Sequence, residues 1–125
     1  MTEIEREKQL KLMTNAKDVA EFRELLREYI IRRLGLPSET SENGIYYLVL
    51  YSVRIKMPDE DIATLESRLA TVDCHQTSFI VSKKTLLMLE IERGLGLYIT
   101  PEDAEYAEDI PKYAEVLWRT LSNDR

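Results

Sequence analysis

Three places in this 125-residue chain hold residue types that could do chemistry. The first is Asp73-Cys74-His75, a thiol beside an imidazole, the material of a thiolate nucleophile activated by a base. Adjacent residues rarely turn their side chains toward each other, and catalytic dyads are generally assembled from distant positions. His75 is the only histidine, so a Ser-His-Asp arrangement would have to use it as well. A loop holding a partly buried thiol accounts for the same residues, and the chain is read as a non-enzyme. The second place is the carboxylates Asp59-Glu60-Asp61, Glu102-Asp103, and Glu105 with Glu108-Asp109. They could attract a hard cation, but none has the calcium-loop spacing with its glycine and final glutamate, so no metal is expected. The first two groups also stand at expected helix starts, where the dipole favours acids. The third is Ser82, a hydroxyl opening an apolar run, where it reads as a helix N-cap. No GxGxxG, phosphate loop or GxSxG occurs.

Composition limits the partners. The chain has 23 acidic and 17 basic residues and a net charge of −6. That argues against nucleic acid, which needs clustered Lys and Arg. The tyrosines Tyr29, Tyr46, Tyr47, Tyr51, Tyr98, Tyr106 and Tyr113 are interleaved with acids rather than bases, which does not suit a nucleic-acid platform. Cys74 is the single cysteine, which excludes an internal disulfide and suits a reducing compartment. The first residues are charged rather than apolar, so no signal peptide is expected there. The longest nearly uncharged run, Gly44 to Val53, is far short of a membrane span. These features lead to the expectation of a cytoplasmic protein with no membrane association.

The elements that must position these groups read as helices. Residues 1–13 form a charged N-terminal arm, a frayed helix or docking segment with sparse Ile4, Leu10, Leu12 and Met13. Thr14, Asn15 and Asp18 supply capping chemistry for a helix running to about Leu34. Its Val19, Phe22, Leu26, Tyr29, Ile30 and Arg33 follow i, i+3, i+4, i+7 spacing. Gly35 is placed to end it in a left-handed cap, and Pro37 prevents resumption. The run Ile45 to Met57 fits either a strand by its Ile, Val and Tyr content or a buried helix by its length, and helix is preferred. It could serve as a core element or as a dimer surface. Pro58 opens a further helix, and residues 70–78 read as a loop. Ser82 to Leu95 is an apolar helix expected to be covered on most sides. Thr100 caps a segment with Pro101 in its first turn, Pro111 interrupts it, and Lys112 to Leu121 is a final helix. At an offset of 61 residues, Leu25, Leu26, Ile30, Arg32, Leu34, Gly35 and Leu36 match Leu86, Leu87, Ile91, Arg93, Leu95, Gly96 and Leu97. Two amphipathic helices stopped by glycine explain that echo.

The order of signals from Ser82 onward resembles the second half of an acyl carrier protein. The corresponding residues are LLMLEIERGLGLYITPEDAEYAEDIPKYAEVL, and EFRELLREYIIRRLGLPSE looks like the family's first helix with its Leu-Gly stop. Together these cover about two-thirds of the chain, and the acidic net charge agrees. The resemblance implies an all-α, carrier-like helical bundle over residues 14–121, with an insertion at about 44–78 and a tail at 122–125. It implies 4'-phosphopantetheine esterified to a serine that opens the second long helix. The Asp-Ser-Leu motif usual at that position is absent. Ser82 stands one residue late and is followed by Lys83, and Ser78 lies a turn earlier. The chain is also similar to carrier-related proteins found beside bacterial peptide-modification enzymes.

Two functions follow as expectations. One is a carrier-related protein that tethers an intermediate and presents it to the enzymes of a biosynthetic or peptide-modification pathway. The other is an unmodified helical module that binds a partner protein through Lys83, Lys84 and the apolar insertion. In either case the partner-docking residues are Lys83, Lys84, Leu86 and Leu89. A partner-facing helix should leave Leu86 or Leu89 exposed, and a purely structural one should bury both.

Overall fold

A computed structural model describes residues 1–56 and 79–123. The expected Pro58 helix, the 70–78 loop, Cys74, His75 and Ser78 lie outside these residues. Among the described residues the chain is an all-α bundle: α1 (Glu3–Thr14), α2 (Val19–Leu34), α3 (Ile45–Lys56), α4 (Phe79–Leu95), α5 (Pro101–Tyr106) and α6 (Ile110–Asn123). None of these helices is long and apolar enough to cross a membrane.

Local chemistry sets the helix ends. Asp18 accepts the Glu21 N–H at 2.9 Å to cap α2. Thr14 and Asn15, expected to share that task, instead end α1. Gly35 and Gly96 take φ of 71° and 70°, the left-handed region glycine enters without a Cβ clash. In each case the next N–H reaches back five residues, Leu36 to the Ile31 carbonyl and Leu97 to the Glu92 carbonyl. The two helices therefore end in the same Schellman cap, which is the physical content of the 61-residue echo. Thr100 caps α5 by accepting the Asp103 N–H at 3.1 Å. Pro111 does not interrupt a helix. It sits in the first turn of α6, where its missing N–H is not needed, and Asp109 caps that helix through the Lys112 N–H at 2.9 Å.

The ambiguous run is a helix. Ile45, Leu48, Val49, Ser52 and Val53 are buried at i, i+3, i+4, i+7, i+8 spacing, while Tyr47 and Tyr51 face outward. Its start is tied to that of α6 by a reciprocal pair of backbone hydrogen bonds, Ile45 N–H to the Glu108 carbonyl and Ile110 N–H to the Asn43 carbonyl.

The core lies between α2 and α6, which make the most extensive helix pair. Phe22, Leu26, Tyr29 and Ile30 meet Ile110, Tyr113, Ala114 and Leu117, all fully buried. Phe22 also packs against the half-buried Trp118 ring at a centroid distance of 5.6 Å.

The N-terminal stretch is not a loose arm. It is capped by Thr2, whose hydroxyl accepts the Glu5 N–H while the Glu5 carboxylate accepts the Thr2 N–H. Gln9 and Met13 are buried, and the Gln9 side-chain amide donates to the Leu25 carbonyl at 3.1 Å. α1 packs on both α2 and α4. The approach to α4 is close because position 94 has no side chain. A Cβ on Gly94 would lie 2.4 Å from Leu10 Cδ1 and 3.3 Å from its Cγ. Gly94→Val should therefore lower unfolding stability by about 1–3 kcal/mol in urea titrations, in spite of valine's better helix propensity. Combining it with Leu10→Ala should recover part of the loss, a positive coupling in a double-mutant cycle. Additive losses would mean that α1 is not seated on Gly94.

Candidate functional site

The sequence singles out α4, and its side chains divide cleanly. Ile80, Leu87, Met88, Ile91, Glu92 and Leu95 are buried. Ser82, Leu86, Leu89 and Arg93, spaced at i, i+4, i+7, i+11, form an exposed ridge. Leu86 is 66% exposed and Leu89 40%. The helix is thus not covered on most sides as expected. Its apolar surplus lies outside the buried stripe, on the face turned from its neighbours. Ser82 lies within α4 and is exposed, so it is not that helix's N-cap.

Lys83 and Lys84 do not form one patch. Successive helical residues point about 100° apart. Lys83 turns into a cleft of about 340 Å³ lined by Arg33, Leu34, Lys56, Leu86, Leu87 and Glu90. Lys84 turns the other way, between two further clefts, one of which it shares with Tyr46, Tyr47 and Asp109. Partial burial lowers the Lys83 pKa, and the Lys56 and Arg33 charges add to the effect.

Beneath the ridge, two glutamates of α4 hold it in place by opposite means. Glu90 Oε1 accepts the Tyr29 hydroxyl, the Arg33 Nε–H at 2.9 Å and an Arg6 Nη1–H at 3.3 Å. Partial burial opposes its charge, but the bonds from Arg33 and Tyr29 prevail and its pKa lies below the ordinary value. Among the described residues Glu92 has no cation beside it. Burial raises its pKa, and the Tyr113 hydroxyl at 2.8 Å offsets this only in part. That same hydroxyl lies 3.1 Å from the Met88 carbonyl. A phenol has one proton to give, so the Glu92 carboxyl and the Met88 carbonyl compete as acceptors for the Tyr113 hydroxyl.

Arg33, Lys56 and Glu90 escaped the sequence reading as site residues. Arg33 follows the helical spacing of the apolar residues in its helix, and nothing in the sequence around Glu90 marks it. Opposite charges at core-facing positions of two helices were the available signal. Among the described residues, no group of three or more histidine, cysteine or acidic side chains is placed to hold a metal. No protein-family model, curated protein or solved structure matches the chain.

The two glutamates predict opposite pH effects. Glu90, with its folded pKa depressed, contributes stability that is complete above the ordinary carboxylate value of 4.5 and is lost as pH falls through the depressed value. Glu92, with its folded pKa raised, has the reverse sign, and stability declines as pH rises from 4.5 through the raised value. In denaturant titrations at neutral pH, Glu90→Gln should lose about 1.5–3 kcal/mol, because charged hydrogen bonds are removed. Glu92→Gln should be neutral or stabilising, with an advantage that grows with pH. A loss for Glu92→Gln as large as that for Glu90→Gln would contradict the raised pKa of Glu92.

Proposed function

We propose that this chain is an acyl carrier-related docking protein that presents α4 to partner enzymes of a biosynthetic or peptide-modification pathway. The observation that carries this reading is the exposed Ser82–Leu86–Leu89–Arg93 ridge on a helix whose other face is locked into the bundle. Exposed leucines on a helix anchored from behind suit insertion into a partner's groove, in the manner of i, i+4, i+7 anchors. The succession of a glycine-stopped helix, a Thr-Pro-capped short helix and a final helix supports the carrier-related part of the reading.

In its finer form Ser82 carries phosphopantetheine. Its exposure at the start of α4 and on the docking ridge favours this. The arm would then hold a thioester and raise its effective concentration at each docked enzyme, with no catalytic residue required of this chain. In the second form the same ridge docks without a prosthetic group, which Leu86 and Leu89 favour by their own exposure.

Two measurements separate these forms. Incubation with coenzyme A and a broad-specificity phosphopantetheinyl transferase, read by intact mass, should add one phosphopantetheine that is lost in Ser82→Ala and kept in Ser78→Ala. An unmodified Ser82 leaves the docking form. For docking itself, a photo-cross-linking side chain at position 86 should capture a pathway enzyme whose activity depends on this chain. The same group at Leu12, exposed on α1, should not. Equal capture from both positions would sink the ridge as a docking face. Leu86→Ala and Leu89→Ala should change folding stability by no more than about 0.5 kcal/mol, as expected for exposed positions.

A further inference from the structure

The cleft beside the ridge has a charge pattern that folding does not explain. Arg33 from the end of α2, Lys56 from the end of α3 and Lys83 from α4 converge on it. Cations at the ends of α2 and α3 are favoured by the helix dipoles, but Lys83 lies near the opposite end of its own helix. Among the described residues the one carboxylate lining the cleft, Glu90, is already held by Arg33, Arg6 and Tyr29. Lys56 and Lys83 form no ion pair among the described residues. Two such amines brought together beside a guanidinium repel one another, and burial first, then the Lys56 and Arg33 charges, hold the Lys83 pKa below its ordinary value. This occurs on a chain whose net charge is −6.

The walls are apolar. Leu34 and Leu87 are buried, and Leu86 forms the rim. Leu86 is also the centre of the docking ridge, so the cleft is open along one side to whatever lies on α4. An extended occupant that crosses the ridge meets the cleft, with an aliphatic contact at Leu86 and two cations a short distance further on.

We propose that this cleft receives an acidic side chain of a docked peptide segment, held between Lys56 and Lys83 while a neighbouring aliphatic residue packs on Leu86. The inference rests on α4 being a docking face and names the partner's chemistry: an amphipathic segment with a carboxylate next to its apolar anchor. Lys56 and Lys83 supply specificity and ionic-strength dependence, and Leu86 and Leu89 supply the apolar contact.

The test uses the full chain and two fluorescently labelled amphipathic helical peptides of identical leucine pattern. One carries glutamate beside the leucines and the other glutamine. The glutamate peptide should bind on the order of tenfold more tightly by anisotropy, with the difference shrinking as salt rises. Lys56→Gln or Lys83→Gln should remove that difference, and Leu86→Ala should weaken both peptides. Lys83→Gln should fold at least as well as the parent, since it relieves repulsion, and this separates lost binding from lost structure. Equal binding of both peptides, weakened by Leu86→Ala, overturns the acidic specificity and leaves the docking face standing. Binding of neither peptide overturns both. Preference for glutamate that appears only after Asp59→Asn, Glu60→Gln and Asp61→Asn are introduced together assigns the cleft to the chain's own acidic run and also overturns the proposal.

Discussion

Glu90 receives hydrogen bonds from three side chains on two other helices, and the placement of α4 depends on it. Tyr29 and Arg33 reach it from α2 and Arg6 from α1. Tyr29 is fully buried, so its hydroxyl must find an acceptor inside the protein, and Glu90 is that acceptor. A partly buried carboxylate is costly unless it is well bonded, and here the bonds are sufficient to keep it ionised. The consequence is geometric. Apolar packing alone would let a helix slide or turn along its axis, whereas directional bonds to one carboxylate fix both the depth and the rotation of α4. That rotation decides which leucines face outward.

The two sides of α4 are therefore complementary. Inside, it packs on α1 and α3, and Glu90 and Glu92 tie it to α1, α2 and α6. Outside, Leu86 and Leu89 remain uncovered. A surface presented on a helix held this firmly loses little conformational freedom when it is bound, which lowers the entropic cost of docking. The lack of a side chain at Gly94 belongs to the same design, because it brings α1 close enough for Arg6 to reach Glu90.

Much of this fold was legible in the residues. The caps at Asp18, Thr100, Gly35 and Gly96 depend on local chemistry, and each was found where the sequence placed it. The helix in α3 was open only because β-branched and aromatic residues suit a strand equally well. Its burial spacing and the absence of any strand among the described residues resolve it. What the sequence concealed was long-range. The charged surface of α1 hides a docked helix, since its attachment runs through Gln9 and Arg6 rather than an apolar stripe. Leu86 and Leu87 are indistinguishable in sequence, yet one is exposed and the other buried, because only tertiary packing decides which side of an apolar helix is covered. The site was half legible for the same reason: Lys83 was marked, while Arg33 and Lys56, which join it from distant segments, were not.

The Phe22–Trp118 contact gives the molecule a property of another kind. Trp118 is the chain's single tryptophan, and it lies at the junction of α2 with α6. Indole emission depends on the polarity around the ring, so the tryptophan fluorescence of this protein, excited apart from its tyrosines, comes from one place: the meeting of α2 near its beginning with α6. That junction closes only when distant parts of the chain have come together. Emission from this one ring is thus an optical record of whether the bundle is closed, obtained without attaching any dye.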